Sequence, residues 1–194
     1  MQVIKNESTY TPPPVESVWL KLEEGTTTLR ILSHSVNSVT HFVKSEKKSH
    51  DCTGEVKTCQ YCQKNNKPRQ QWAYLVLLRN EKNPTIKVAK FGWSIFKTIL
   101  DLSKDKDYGD PRSYDVKIKR VGQDLDTEYT VIPGKDFPYN DQEMAILMPE
   151  DLVDPEKATA KLLSYYKKEG ETAFNTDFDP EEVNEIFAEE STKH

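Results

Sequence analysis

Three cysteines spaced Cys52-x6-Cys59-x2-Cys62 fall inside the least apolar stretch of this 194-residue chain, residues 44–71. That stretch is rich in Lys and Asn and shows neither a helical nor a strand-like apolar period. So long an irregular segment between strand-like runs needs its own source of order. Two thiols separated by two residues can sit on one tight turn and face one ion from the same side. A third sulfur and an imidazole would complete a tetrahedron, the arrangement preferred by structural Zn(II). An odd cysteine count, with a polar Met1–Ser8 in place of an export signal, argues against a disulfide framework. The expectation is therefore reduced thiols in a cytoplasmic protein, holding one structural zinc ion. A redox reading of Cys59-Gln-Tyr-Cys62 fits less well, because that chemistry wants a CxxC opening a helix after a strand, and this pair lies in a polar loop where Pro68 leaves no room for a long helix. The fourth ligand stays open among His41 at the end of a strand, His50 with a single residue between it and Cys52, and His34 in the strand before.

Around this segment the chain reads as mainly β with helical additions. Residues 1–16, with Pro12 to Pro14, form an extended arm. Strand-like runs follow at Val18–Leu22, Thr28–Leu32 and Val36–Val43, with a turn at Glu24-Gly25. After the cysteine segment come Trp72–Leu78 and Thr85–Phe91. A helix is expected over 93–102 from the spacing of Phe96, Ile99 and Leu100. Strands at Tyr114–Arg120 and Glu128–Ile132 close the unit at Pro133-Gly134. Asp154-Pro155 starts a helix that stops at Gly170, and Asp179-Pro180 starts another. The expected organisation is an arm (1–16), a partly open OB-fold-type β-barrel (17–135) with a zinc-binding insertion at about 44–71, a helical extension (136–170), and an acidic tail (171–194).

Charge is unevenly spread. Residues 1–140 carry 22 Lys/Arg and 17 Asp/Glu, whereas residues 141–194 carry 5 and 15. Between Arg30 and Leu100 the count is 13 basic to 4 acidic. A basic body with an acidic end suggests a polyanion-binding surface and a separate segment for partner proteins. Basic residues also alternate with aromatic ones: Tyr61, Lys64, Lys67 and Arg69 lead into Trp72 and Tyr74, and Lys87 and Lys90 precede Trp93. Unpaired nucleic acid needs cations for its phosphates and flat rings for its bases, the stacking worth roughly 1–3 kcal/mol per base. Trp72 and Tyr74 share one strand face, with Ala73, Leu75 and Leu77 on the other, so one face can enter a core and the other can stack. Packing of both faces is the competing reading, since Val76 and Leu78 continue the Trp72 face. No GxxxxGK(S/T), GxGxxG or HExxH occurs, and Asp105, Asp107 and Asp110 read as a solvated loop. No enzyme is indicated, and no run approaches the ~20 apolar residues of a membrane span.

The ordered set Leu29-Arg30-Ile31-Leu32, His41, Cys52, Cys59-Gln-Tyr-Cys62-Gln63, Trp72-Ala73-Tyr74-Leu75-Val76-Leu77 and Lys87-Val88-Ala89-Lys90-Phe91-Gly92 resembles a known family. It is similar to the zinc-containing, helix-destabilising single-stranded-DNA-binding proteins of T-even-type phages, over roughly residues 18–134. The resemblance implies an OB-fold core with an inserted zinc subdomain, ligated by His41, Cys52, Cys59 and Cys62. It implies that Trp72 lies along the DNA cleft with Lys67 and Arg69 just before it. It also implies a role in coating single strands during phage DNA replication, recombination and repair, in the host cytoplasm. The acidic tail would then recruit replication or recombination proteins. The arm holds only Lys5 among its first 16 residues, so self-association on DNA is expected to be weak. A zinc-ribbon interaction module or transcription accessory protein, and an RNA-binding OB protein, are the alternatives that the residues themselves leave open.

Overall fold

The computed structural model describes residues 17–46, 48–79, 83–123 and 126–169. The arm at 1–16 and the expected helix and acidic tail beyond Gly170 lie outside the described residues. In chain order the elements are β1 (Gly25–Ile31), β2 (Val36–Val43), β3 (Lys48–Asp51), α1 (Gln60–Gln63), β4 (Arg69–Leu78), β5 (Thr85–Phe91), α2 (Trp93–Lys104), β6 (Asp115–Val121), β7 (Glu128–Pro133), α3 (Asp141–Leu147) and α4 (Pro155–Glu169). All strand ladders are antiparallel, and the sheet runs β3-β2-β4-β1-β6-β7 with β5 on the other edge of β4. Among the described residues β5 and β7 share no ladder, so the pairings do not close a barrel. Helix α2 touches β4, β5 and β7.

β4 is the spine because its sequence is apolar on both faces. Seven consecutive residues, Trp72 to Leu78, are buried. Its first half pairs with β2 (Val36 opposite Ala73) and its second half with β1 (Ile31 opposite Val76). The chain passes from β1 to β2 at Ser33, whose hydroxyl accepts the Leu75 N–H at 2.8 Å and donates to the His34 carbonyl. Ser33 is thus consumed by the corner.

On one side of β4, Trp72, Tyr74, Val76 and Leu78 pack with Phe91, Phe96 and Ile118. On the other, Ala73, Leu75 and Leu77 pack with Leu147, Leu162 and Tyr166 from the C-terminal helices. Burial of each large aliphatic side chain contributes roughly 1.5–3 kcal/mol, so neither face is spare.

Two local readings are corrected. Val18–Leu22 is not a strand hairpinned to β1. It runs parallel to the outer edge of β5, with Leu20 N–H donating to Val88 O and Val88 N–H to Val18 O, both at 2.8 Å. An otherwise open strand edge is covered that way. The 44–71 segment, expected to be irregular, contains β3 and the one-turn α1. The α4 start is as the sequence indicates, with the Asp154 carboxylate accepting from Glu156 N–H ahead of Pro155. No helix among the described residues is long and apolar enough to cross a membrane.

A buried salt-bridge cluster ties the C-terminal helices to the sheet. Arg79, which interrupts the apolar run of β4 just past its end, forks both carboxylate oxygens of Glu143 at 2.8 and 2.9 Å and donates to Asp115 at 2.9 Å. Arg30 donates to the same Asp115 oxygen and to Phe137 O. Glu143 also closes a capping box with Asn140 at the start of α3. The close approach of Gly134 to Asp115 O, where a Cβ would sit 2.7 Å away, lets the chain turn into this cluster.

Candidate metal centre and the basic surface beside it

Four side chains from residues 41–62 meet at one end of the β2–β3 hairpin. His41 and His50 stand opposite each other in the ladder, and Cys52 N–H donates to Val39 O as the hairpin ends. Residues 53–58 then fold back as turns, held by Thr53–Thr58 and Glu55 hydrogen bonds, and deliver Cys59 as the N-cap of α1. One helical turn later Cys62 faces the same point.

His41, Cys52, Cys59 and Cys62 place one ligand atom each within 4.8 Å of one another. His41 Nε2 lies 3.4 Å from both Cys59 Sγ and Cys62 Sγ, and Cys52 Sγ lies 3.7 Å from Cys62 Sγ. Metal–sulfur bonds of about 2.3 Å and a metal–nitrogen bond of about 2.0 Å in a tetrahedron put sulfurs about 3.8 Å apart and nitrogen about 3.5 Å from sulfur. The donor set and the spacing fit one ion such as zinc.

The acid–base state of the thiols points the same way. The Cys62 backbone N–H donates to the Cys59 sulfur and lowers that thiol to about 6. Burial, then the two neighbouring sulfurs, pushes Cys62 up to about 12. Three thiolates this close repel unless a cation sits among them. His41 is fully buried, and its Nδ1 has no hydrogen-bond partner among the described residues.

The histidine ambiguity is resolved by geometry. His50 turns away from the sulfurs, bonds Glu46 at 2.7 Å and stacks on Tyr61 at 4.9 Å. His34 lies between β1 and β2, at the other end of β2 from His41, against Glu156 and Arg112. Residues directly opposite in an antiparallel ladder share a face, and both rings lie against Tyr61; what separates them is that Glu46 holds the His50 ring while His41 Nε2 meets the sulfurs. Among described side chains between 44 and 71 only Cys52 and Cys59 are buried, so no apolar core orders this segment.

The expected base-stacking aromatics divide. Trp72 is 2% exposed, its ring stacked on Phe96 at 4.2 Å with 3° between the planes. Tyr74, 5% exposed, packs on Phe91. Neither presents a ring face to a base, which corrects that expectation: α2 covers the face that was to be free. Tyr61 is half-buried between His41 and His50. Lys87 donates to Ser17 O at 2.7 Å, and the Lys90 ammonium lies over the Trp19 ring at 4.0 Å and the Tyr166 ring at 5.0 Å. Both lysines therefore help hold the N-terminal segment and α4 to β5. Lys64, Lys67 and Arg69, by contrast, are exposed and form no ion pair among the described residues.

One aromatic was passed over. Phe42 follows the buried His41 on β2, so its ring must point to the opposite face, where it is 39% exposed. The Arg69 guanidinium lies 6.0 Å from its centroid. The signal in the sequence is an aromatic next to a candidate metal-ligating histidine within a strand.

Comparison of the chain with protein-family models, with curated proteins and with solved structures finds no match.

Proposed function

We propose that this chain is a non-enzymatic single-stranded-DNA-binding protein, in which one Zn(II) ion held by His41, Cys52, Cys59 and Cys62 orders a basic insertion beside an OB-type sheet. The carrying observation is the placement of Lys64, Lys67 and Arg69, exposed and without carboxylate partners among the described residues, on the segment that carries the buried cluster. When bound, the ion supplies charge neutralisation for the three thiolates and cross-linking of the segment. Structural zinc in small domains contributes roughly 10–16 kcal/mol of apparent binding free energy, enough to order a stretch with no core of its own. Four protein donors leave no open position for substrate, which fits a structural role.

Affinity in this reading comes from cations displacing counterions along a strand. It predicts a linear fall of log affinity with log salt, about 0.7 per phosphate contacted on a single strand. Coating of exposed strands in DNA replication, recombination and repair is the role that this chemistry suits, with the acidic residues of 171–194 as the site for replication or recombination proteins. Fluorescence titration with oligothymidylate and with duplex at two salt concentrations tests it. Tighter, salt-dependent binding to the unpaired strand is expected. Indifference to both nucleic acids would leave an interaction module built on the same metal centre.

A further inference from the structure

A cavity of about 360 Å³ opens between the end of β2 and the start of β4, lined by Phe42, Lys44, Asn66, Lys67, Pro68 and Arg69. We infer that it is a nucleotide subsite, in which one unpaired base stacks on Phe42 while the phosphates flanking it are held by Lys44, Lys67 and Arg69. The inference rests on the single-strand reading above and adds the residues that would contact one nucleotide.

Four observations carry it. Among the described residues no carboxylate lines the cavity and its three cations form no ion pair. Phe42 is the exposed aromatic of the β2–β3 hairpin, and nothing apolar needs it there, because the buried ligand His41 occupies the other face. The walls are set before anything binds: the Asn66 side-chain amide donates to Phe42 O at 3.2 Å and Asn66 N–H to Tyr61 O at 3.0 Å. Finally, the volume is at the small end of the roughly 300–1,000 Å³ of ligand pockets, suited to one nucleotide. A ring flanked by cations matches the alternation of base and phosphate along an unpaired strand, and Arg69 beside Phe42 can extend the stacked surface.

The test uses the full zinc-loaded chain and two probes, a short oligothymidylate and an abasic strand of equal length. Phe42→Leu should weaken oligothymidylate binding by about 5- to 150-fold, the equivalent of one lost stack, and leave abasic binding unchanged. Phe42→Trp should retain affinity. Arg69→Gln and Lys67→Gln should each lower the salt slope by about 0.7 on both probes. Zinc content and melting temperature, measured on each variant, should match the parent, since an exposed substitution moves stability by about 0.5 kcal/mol or less. Equal affinity of Phe42→Leu and parent for oligothymidylate would overturn the subsite alone. So would an equal loss on both probes, or displacement of oligothymidylate by a polyglutamate peptide that depends on Phe42. Failure of the parent to bind either strand would overturn the single-strand reading, and the subsite with it.

Discussion

At the scale of single residues, neighbours on a strand take opposite tasks. His41 turns to the sulfurs and Phe42 turns to solvent, because successive strand side chains alternate. Trp72 shows the same parity applied to a strand with two cores. Its indole is enclosed by Phe96 and Trp93, so Trp72→Ala should cost about 3–5 kcal/mol of stability in a denaturant melt. Trp72→Phe should leave oligothymidylate affinity at the parent's value; a large loss with intact folding would return Trp72 to the binding surface. Arg79 reads in sequence only as a charge ending an apolar run. In the fold it is the shared partner of Glu143 and Asp115. Arg79→Leu leaves the buried Glu143 without its cation and Asp115 with Arg30 alone, and should destabilise the protein by about 3–5 kcal/mol, measured by urea unfolding.

At the scale of elements, most strands and both longer helices are legible because their apolar periods are clear. β4 and β5 coincide with apolar runs, and α2 with the Phe96–Ile99 spacing. What periodicity does not reveal is what covers a face. The run Trp72–Leu78 is compatible with a stacking face or with two cores, and only the placement of α2 on one side and α4 on the other decides. The sequence likewise indicates a helical extension over 136–170 without the bounds of α3, whose Asn140-x2-Glu143 capping box is short and whose Glu143 is committed to Arg79. In the metal segment the cysteine spacing identifies the site, but β3 and α1 are too short and too polar to carry a pattern. Their order is expected to depend on the ion. In hydrogen exchange, chelation should expose the amides of residues 48–66 while those of β4 and β5 stay protected. Uniform protection in both states would mean that hydrogen bonds alone hold the segment.

At the scale of the whole molecule, the two cores share β4, and the metal segment projects from the end where β2 and β4 pair. In the proposed reading stability and binding are therefore separable: the helices secure the sheet, and an ion held by the four ligands would secure the basic surface. Removing residues 171–194 takes away eight acidic residues and one lysine. Oligothymidylate affinity should then stay level or rise, as repulsion of phosphate falls. A clear loss would show that the tail contributes to binding instead of serving partners.

The most direct test is the oligothymidylate affinity of the full chain, followed as zinc is stripped by a chelator and then restored, at one fixed salt concentration. Binding should weaken by at least about tenfold without the ion, more than 1.4 kcal/mol, and recover when zinc returns. Equal affinity in the two states, with metal loss verified, would contradict the claim that the ion holds the strand-binding surface in place.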